Sequence, residues 1–177
     1  MRIQCADPVP MAAQAVFLLI RDEMPKLVPF LHDVDKIEVA SRKVEGDVVH
    51  LLNVWYGSSE RVPGAIKKFL KPEFFSWKDH ASWTGATRAA TWRLEPRAGA
   101  QIFECFGTTR IEEAGPQESR IVMDINLEIH PDKVPGIPGF IGRSMRGEVE
   151  EFVSKMLTPN MRNLAASVRK YAESRPG

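Results

Sequence analysis

The stretch Arg120-Ile121-Val122-Met123-Asp124-Ile125-Asn126-Leu127-Glu128-Ile129-His130 decides the fold class. Ile121, Met123, Ile125, Leu127 and Ile129 alternate without a break with Val122, Asp124, Asn126, Glu128 and His130. Successive side chains of a strand point to opposite faces, so this period of two describes a strand with one buried and one wet face. A strand in a parallel sheet is covered on both sides and reads apolar throughout. An antiparallel sheet, open to solvent on one side, is therefore expected.

Working outward, turn residues cut the chain into further strands. Gly115-Pro116 separates this stretch from 100–111, and 96–99 separates that from 88–95. Thr84-Gly85-Ala86-Thr87 precedes it and follows 75–83, while 36–44 and 47–56 flank Glu45-Gly46, where glycine can supply a positive φ. Only 2–6 is available for a first strand, so that edge is expected to be short. Between them, 11–22 and 23–32 read as two short helices whose limits are set by Pro25 and Pro29. After Pro138 a long amphipathic helix is expected: Met145, Val149, Phe152, Val153, Met156 and Leu157 recur at three and four, and beyond Pro159 so do Met161, Leu164, Ala165, Val168, Tyr171 and Ala172. Pro159 predicts a kink or break near 157–158.

Turn geometry predicts the inward faces. An even loop at Glu45-Gly46 pairs Ile37 with Val54, Val39 with Leu52 and Ser41 with His50. A four-residue loop at 96–99 pairs Trp92 with Phe103, Ala90 with Cys105 and Arg88 with Gly107, and puts Thr109, Met123 and Ile125 on the same face. A one-residue change in either loop would flip a strand. Glu104, Arg110, Asp124, Asn126 and Glu128 fall on the outer, solvated face.

The chain has 177 residues, 24 basic and 23 acidic, for a net charge of +1, and is 44% hydrophobic. That describes one folded domain over 1–177. It excludes a disordered tail and lacks the basic excess of a nucleic-acid binder. No signal-peptide pattern is read at the N-terminus, the apolar run 12–20 is too short to span a bilayer, and a cytoplasmic location is expected. Cys5 and Cys105 lack CxxC spacing and read as two thiols; His32, His50, His80 and His130 are scattered, so neither a metal nor a cofactor is expected. Gly136, Gly139 and Gly142 are interleaved with Pro135 and Pro138, a rigid bend rather than a phosphate cradle.

Two helices, a curved antiparallel sheet and a long C-terminal helix, in that order, resemble the helix-grip fold of the START-like (SRPBCC) superfamily, an α+β arrangement of about seven strands around the C-terminal helix. The block Val62-Pro63-Gly64-Ala65-Ile66-Lys67-Lys68-Phe69-Leu70, with Trp77 and Trp83, resembles a little-characterised bacterial branch. So does Ile137-Pro138-Gly139-Phe140-Ile141-Gly142 leading into Glu148-Val149-Glu150. That branch has a helical insertion after the third strand, which is also similar to the lipid-transferring loop of mitochondrial phospholipid carriers. The resemblance runs from about Asp7 to Tyr171 and names no catalytic residue.

The resemblance implies a cavity between sheet and helix that holds a hydrophobic small molecule or lipid. Trp92, Phe103, Met123, Ile125, Val149, Phe152 and Met156 then either line the cavity or pack as ordinary core. Adaptable methionine walls and inward polar groups at His50, Arg88 and Thr109 favour a cavity. Arg88, opposite Gly107, would hold a carboxylate or phosphate head group, or else lie at the strand end in solvent or pair with a surface acid; His50 reads more as a structural hydrogen-bonder than a base. Ile66, Phe69, Leu70 and Phe74, among Lys67, Lys68 and Lys71, form either a lid with transient contact to anionic membrane or a plain cap on the core. Three readings follow: a non-enzymatic carrier first, a cyclase- or aromatase-type enzyme second, and a packed interaction module third.

Overall fold

In the computed structural model, residues 1–31, 34–58, 72–98, 103–130 and 163–175 are described, with Lys133, Gly147 and Glu151. The elements run β1 (Arg2–Val9), α1 (Ala13–Asp22), a 3-10 helix (Met24–Phe30), β2 (Val34–Glu45), β3 (Val48–Gly57), a 3-10 turn (Pro72–Phe75), β4 (Ser76–Thr84), β5 (Ala89–Pro96), β6 (Phe103–Gly115), β7 (Glu118–Ile129) and α2 (Leu164–Glu173). The strands form one seven-stranded antiparallel sheet in the order β1-β7-β6-β5-β4-β3-β2.

The alternation that opened the sequence reading is the burial pattern of β7, with Ile121, Met123, Ile125 and Leu127 buried and Asp124 and Glu128 toward solvent. β1 is longer than expected: all eight residues pair with β7, from Arg2 against Asn126 to Val9 against Ser119. Asp7 and the two prolines at 8 and 10 suggested an early end. Pro8 is tolerated because β1 is an edge strand, where a missing N–H need not break a ladder. The second helix is a 3-10 helix, with Pro25 in its first turn and Pro29 inside it.

On the concave face, α1 buries Ala13, Val16, Phe17, Leu19 and Ile20 and packs on β6 and β7. The 3-10 helix packs on β2 and on α2, and α2 on β1. Ser167 Oγ lies 2.9 Å from the Phe30 carbonyl, and Arg169 Nη1 donates to the Pro8 carbonyl at 2.8 Å, tying α2 to both. The expected break at 157–158 lies outside the described residues.

Both hairpin registers differ from the sequence-based pairing. The two-residue loop between β2 and β3 is Gly46-Asp47, with Gly46 at φ +59°. A positive φ at the first loop position suits glycine and would strain glutamate. A register shift between Val39 and Ser41 follows, so Val39 faces Asn53, Ile37 faces Trp55 and His50 faces Lys43. Val49, Leu51 and Asn53 are therefore the buried residues of β3, and His50 falls on the other face. The β5–β6 ladder ends at Leu94–Cys105, so its connection is longer than four residues and Trp92, not Arg88, lies opposite Gly107. The shift there is even, which leaves Trp92, Thr109, Met123 and Ile125 facing inward as expected.

Candidate functional site

The inner face of β3 to β7 carries three cross-strand rows that build a cavity. The first runs Asn53, Asp79, Leu94, Cys105 and Leu127. The second runs Leu51, Ala81, Trp92, Gly107 and Ile125, and the third Val49, Trp83, Ala90, Thr109 and Met123. Trp55 and Trp77 pair beyond the first row and stack at 5.9 Å between ring centroids. In the second row Ala81 and Gly107 flank Trp92, and this small-large-small sequence gives the indole room. A Cβ on Gly107 would stand 2.7 Å from Trp92 Cζ2 and 2.3 Å from the Asp124 carbonyl oxygen. Laid across Gly107, the Trp92 indole donates from Nε1 to Thr109 Oγ1 at 3.0 Å.

The resulting cavity has a volume of about 90 Å³ and opens to solvent through its mouth. Its floor holds Trp55, Trp77, Trp83 and Trp92, which are all four tryptophans of the chain. Ile20 of α1, Met24 of the 3-10 helix and Leu164 of α2 close it from the helical side, with Met123 and Leu94 completing the apolar wall. Phe17 supports the wall from behind, edge-on to Trp83 at 5.6 Å.

The polar groups of this cavity are few. Asn53, Asp79 and Thr109 line it, and each is buried. Asn53 Nδ2 donates to Asp79 Oδ2 at 3.3 Å, across the β3–β4 ladder. Burial pushes the Asp79 carboxyl up to about 6, against the milder opposing pull of Asn53, of the Trp55 indole N–H and of His80. Trp55 Nε1 nonetheless completes no hydrogen bond of normal geometry with Asp79 or anything else, although it is buried. Next in the row, the Cys105 thiol is pushed up to about 12, first by burial and then by the Asp79 charge, so it is an inert thiol. It and Cys5 are not joined in a disulfide. Among the described residues Asp79 is the buried carboxylate, and no basic side chain there forms an ion pair with it.

Of the residues singled out by sequence, Trp92, Thr109 and Met123 line the cavity, while Phe103 and Ile125 are buried core beside it. His50 does not line it. The register shift between Val39 and Ser41 leaves it on the outer face, where Nδ1 lies 2.8 Å from Ser82 Oγ and Nε2 3.4 Å from Glu45. Arg88 does not line it either: it sits in the β4–β5 turn with φ +46°, its guanidinium 3.7 Å from Glu113. Val149, Phe152, Met156, Ile66, Phe69 and Leu70 lie outside the described residues, as does the side chain of Phe74. Sequence reasoning missed Asn53, Trp55, Trp77, Asp79 and Trp83. Their signal was the alternation within 76–84, where Trp77, Asp79, Ala81 and Trp83 share a face against Lys78, His80 and Ser82. A lone carboxylate on an otherwise apolar face was legible there.

Among the described residues no three metal-ligating side chains cluster, and no helix is long and apolar enough to cross a membrane. No protein-family model and no curated protein matches the sequence. Solved structures do resemble it. The structure of TTHA0849 from Thermus thermophilus superposes with a TM-score of 0.62 at 18% identity, covering 99% of this chain and 100% of that one. The Zhui aromatase/cyclase from Streptomyces sp. R1128 gives 0.62 at 16%, covering 99% and 94%. Norcoclaurine synthase from Thalictrum flavum gives 0.58 at 12%, covering 99% and 87%. Likenesses at this identity carry the architecture and nothing finer. With its seven-stranded curved sheet, paired N-terminal helical turns and C-terminal helix, the chain has the helix-grip fold.

Proposed function

We propose that this protein binds a hydrophobic small molecule in the cavity between the sheet and its helices. The observation that carries the reading is the convergence of all four tryptophans on one open space. Indoles used only as core would be expected to interlock with their neighbours, because protein interiors are close-packed. Here they line an open space instead, with Ala81 leaving room beside Trp92. Rigid flat walls suit a compact ring-bearing ligand better than a long acyl chain, so lipid carriage is the less favoured form of the reading.

The test is direct because the reporters sit in the site. Titrating the protein with compact aromatic probes such as naphthalene derivatives, and separately with fatty acids, should shift or quench tryptophan emission saturably for the ring compounds. Native mass spectrometry of gently purified protein should show a small-molecule adduct that solvent extraction releases. An emission spectrum that no apolar probe alters, on a protein that emerges empty, would defeat the proposal.

A second reading has its own observation. A carboxyl pushed up to about 6 inside an apolar cavity can exchange a proton near neutral pH, which is what a general base needs. Two of the similar structures carry enzyme names, an aromatase/cyclase and a norcoclaurine synthase. Conversion of a bound compound that stops in Asp79→Asn, with the fold and binding intact, would favour this reading over carriage.

A further inference from the structure

Asp79 is badly placed for an empty or purely apolar cavity. Its carboxylate is buried, faces four indoles, and has a single hydrogen bond of 3.3 Å from Asn53. Buried charges are ordinarily paired with an opposite charge or bound to a metal. Among the described residues neither is present: no lysine, arginine or histidine forms an ion pair with Asp79, and no metal-ligating cluster includes it. His80, its neighbour in β4, is on the opposite face of the sheet against Glu95 at 3.0 Å. Among the described residues that partner is lacking, and a positive group seated in the cavity would supply it.

The walls point to the same charge. Indole rings carry negative charge on their faces and attract cations more strongly than phenyl rings do. Trp55, Trp77, Trp83 and Trp92 line the same cavity as the carboxylate: Trp77 is two residues before it in β4 and Trp55 is paired with Trp77, while Trp92 comes from the adjacent row and Trp83 from the one beyond. Aromatic faces with one carboxylate form a receptor for ammonium groups. An anionic head group would instead meet Asp79 with like charge.

From this geometry we infer that the ligand is an organic cation, a protonated amine or quaternary ammonium on an apolar body, seated with its charge at Asp79 and its body against the tryptophans. The inference rests on the reading of this cavity as a ligand site and names the class of ligand it takes. Asn53 has a positioning part: its amide holds one carboxylate oxygen and leaves the other for the ligand.

The experiment compares benzyltrimethylammonium with neopentylbenzene, which has the same shape with carbon in place of the charged nitrogen. Tryptophan emission is followed on the full chain at pH 7.5. The cation should bind at least tenfold more tightly than the neutral isostere. Asp79→Asn should remove that preference while leaving neopentylbenzene binding within about twofold. Should that variant fail to fold, the wild-type protein at pH 5.0 serves instead. The probe has no titratable proton, the Cys105 thiol stays neutral, and the isostere measured at both values controls for His80. The preference should shrink as Asp79 takes up a proton. Equal binding of the two probes, or a preference that survives both Asp79→Asn and pH 5.0, overturns the inference and leaves the cavity a neutral-ligand site. If neither probe binds, the ligand-site reading fails with it.

Discussion

Asp79 lowers the stability of the domain that contains it, and the sign of that effect is measurable. Its carboxyl is held near 6 in the fold against 3.8 for an ordinary aspartate, so between those values the folded chain keeps a proton that the unfolded chain has lost. Stability must then fall as pH rises from about 4 to above 6, by at most ~3 kcal/mol for a shift of that size. Asp79→Asn keeps an acceptor for the Asn53 amide and removes the charge. Urea unfolding should show the variant more stable than wild type by about 1–3 kcal/mol at pH 7.5, and nearly equal to it at pH 4.5. A variant less stable at both values would mean that Asp79 is a structural hydrogen-bonding residue. Asp124 has the opposite sign: the Arg2 hydrogen bonds, with Gln4, hold it down to about 2, so its small surface contribution is lost only in strong acid. A side chain kept where it costs stability is a mark of function. Alternation puts Thr109, Met123 and Trp92 on the inward face, where the structure has them, whereas His50 and Arg88 follow from hairpin registers that the structure corrects.

Between elements, the cavity depends on how β5 lies against β6. Trp92 can cross the sheet only because Gly107 has no side chain, and the ladder puts the two directly opposite. Gly107→Ala would bring a methyl group to 2.7 Å from the indole and 2.3 Å from the Asp124 carbonyl. The backbone carbonyl cannot rotate away without breaking the β6–β7 ladder, so the indole must move and the strands must part slightly. We expect a loss of about 1–3 kcal/mol, as for other overpacked sites. The Trp92–Thr109 hydrogen bond should be lost too, seen as a change in near-ultraviolet circular dichroism and in emission maximum. An unchanged spectrum with unchanged stability would show that Trp92 is not held across Gly107. Strand identity was legible from alternation and turn residues at nearly every position. Register was not, because Gly46 could occupy either place in a two-residue loop, and only the loop backbone, with Gly46 at φ +59° and Asp47 Oδ2 accepting from Ala86 N–H at 2.7 Å, selects the first. That choice moves the pairing by two residues and keeps the faces; the shift between Val39 and Ser41, which no turn residue announces, is what leaves His50 on the outer face.

Across the whole molecule, charge is sorted by face. The outer surface carries exposed pairs such as Arg2–Asp124, Arg110–Glu112 and Lys78–Glu95, which solvent screens. The net +1 hides a buried carboxylate that has no cationic partner among the described residues. Whether the interior is hollow or filled decides between a binding protein and an interaction module with a solid core, and Ala81 offers the test. It is buried between Leu51 and Trp92 in its row and faces the open space. Ala81→Leu adds an isopropyl group's worth of apolar volume at that point. In a filled core the addition forces neighbours off their rotamers and costs about 1–3 kcal/mol. In a hollow one it buries new apolar surface at roughly 25 cal/mol per Å² and meets no opposing wall. We expect the variant to unfold at the same or higher urea concentration than wild type, and to bind aromatic probes at least tenfold more weakly. Stability gained at the expense of binding is the signature of a cavity kept open for a ligand. A destabilised variant, from a wild-type chain that takes up no probe, would instead establish a packed core and place this protein's activity on its surface.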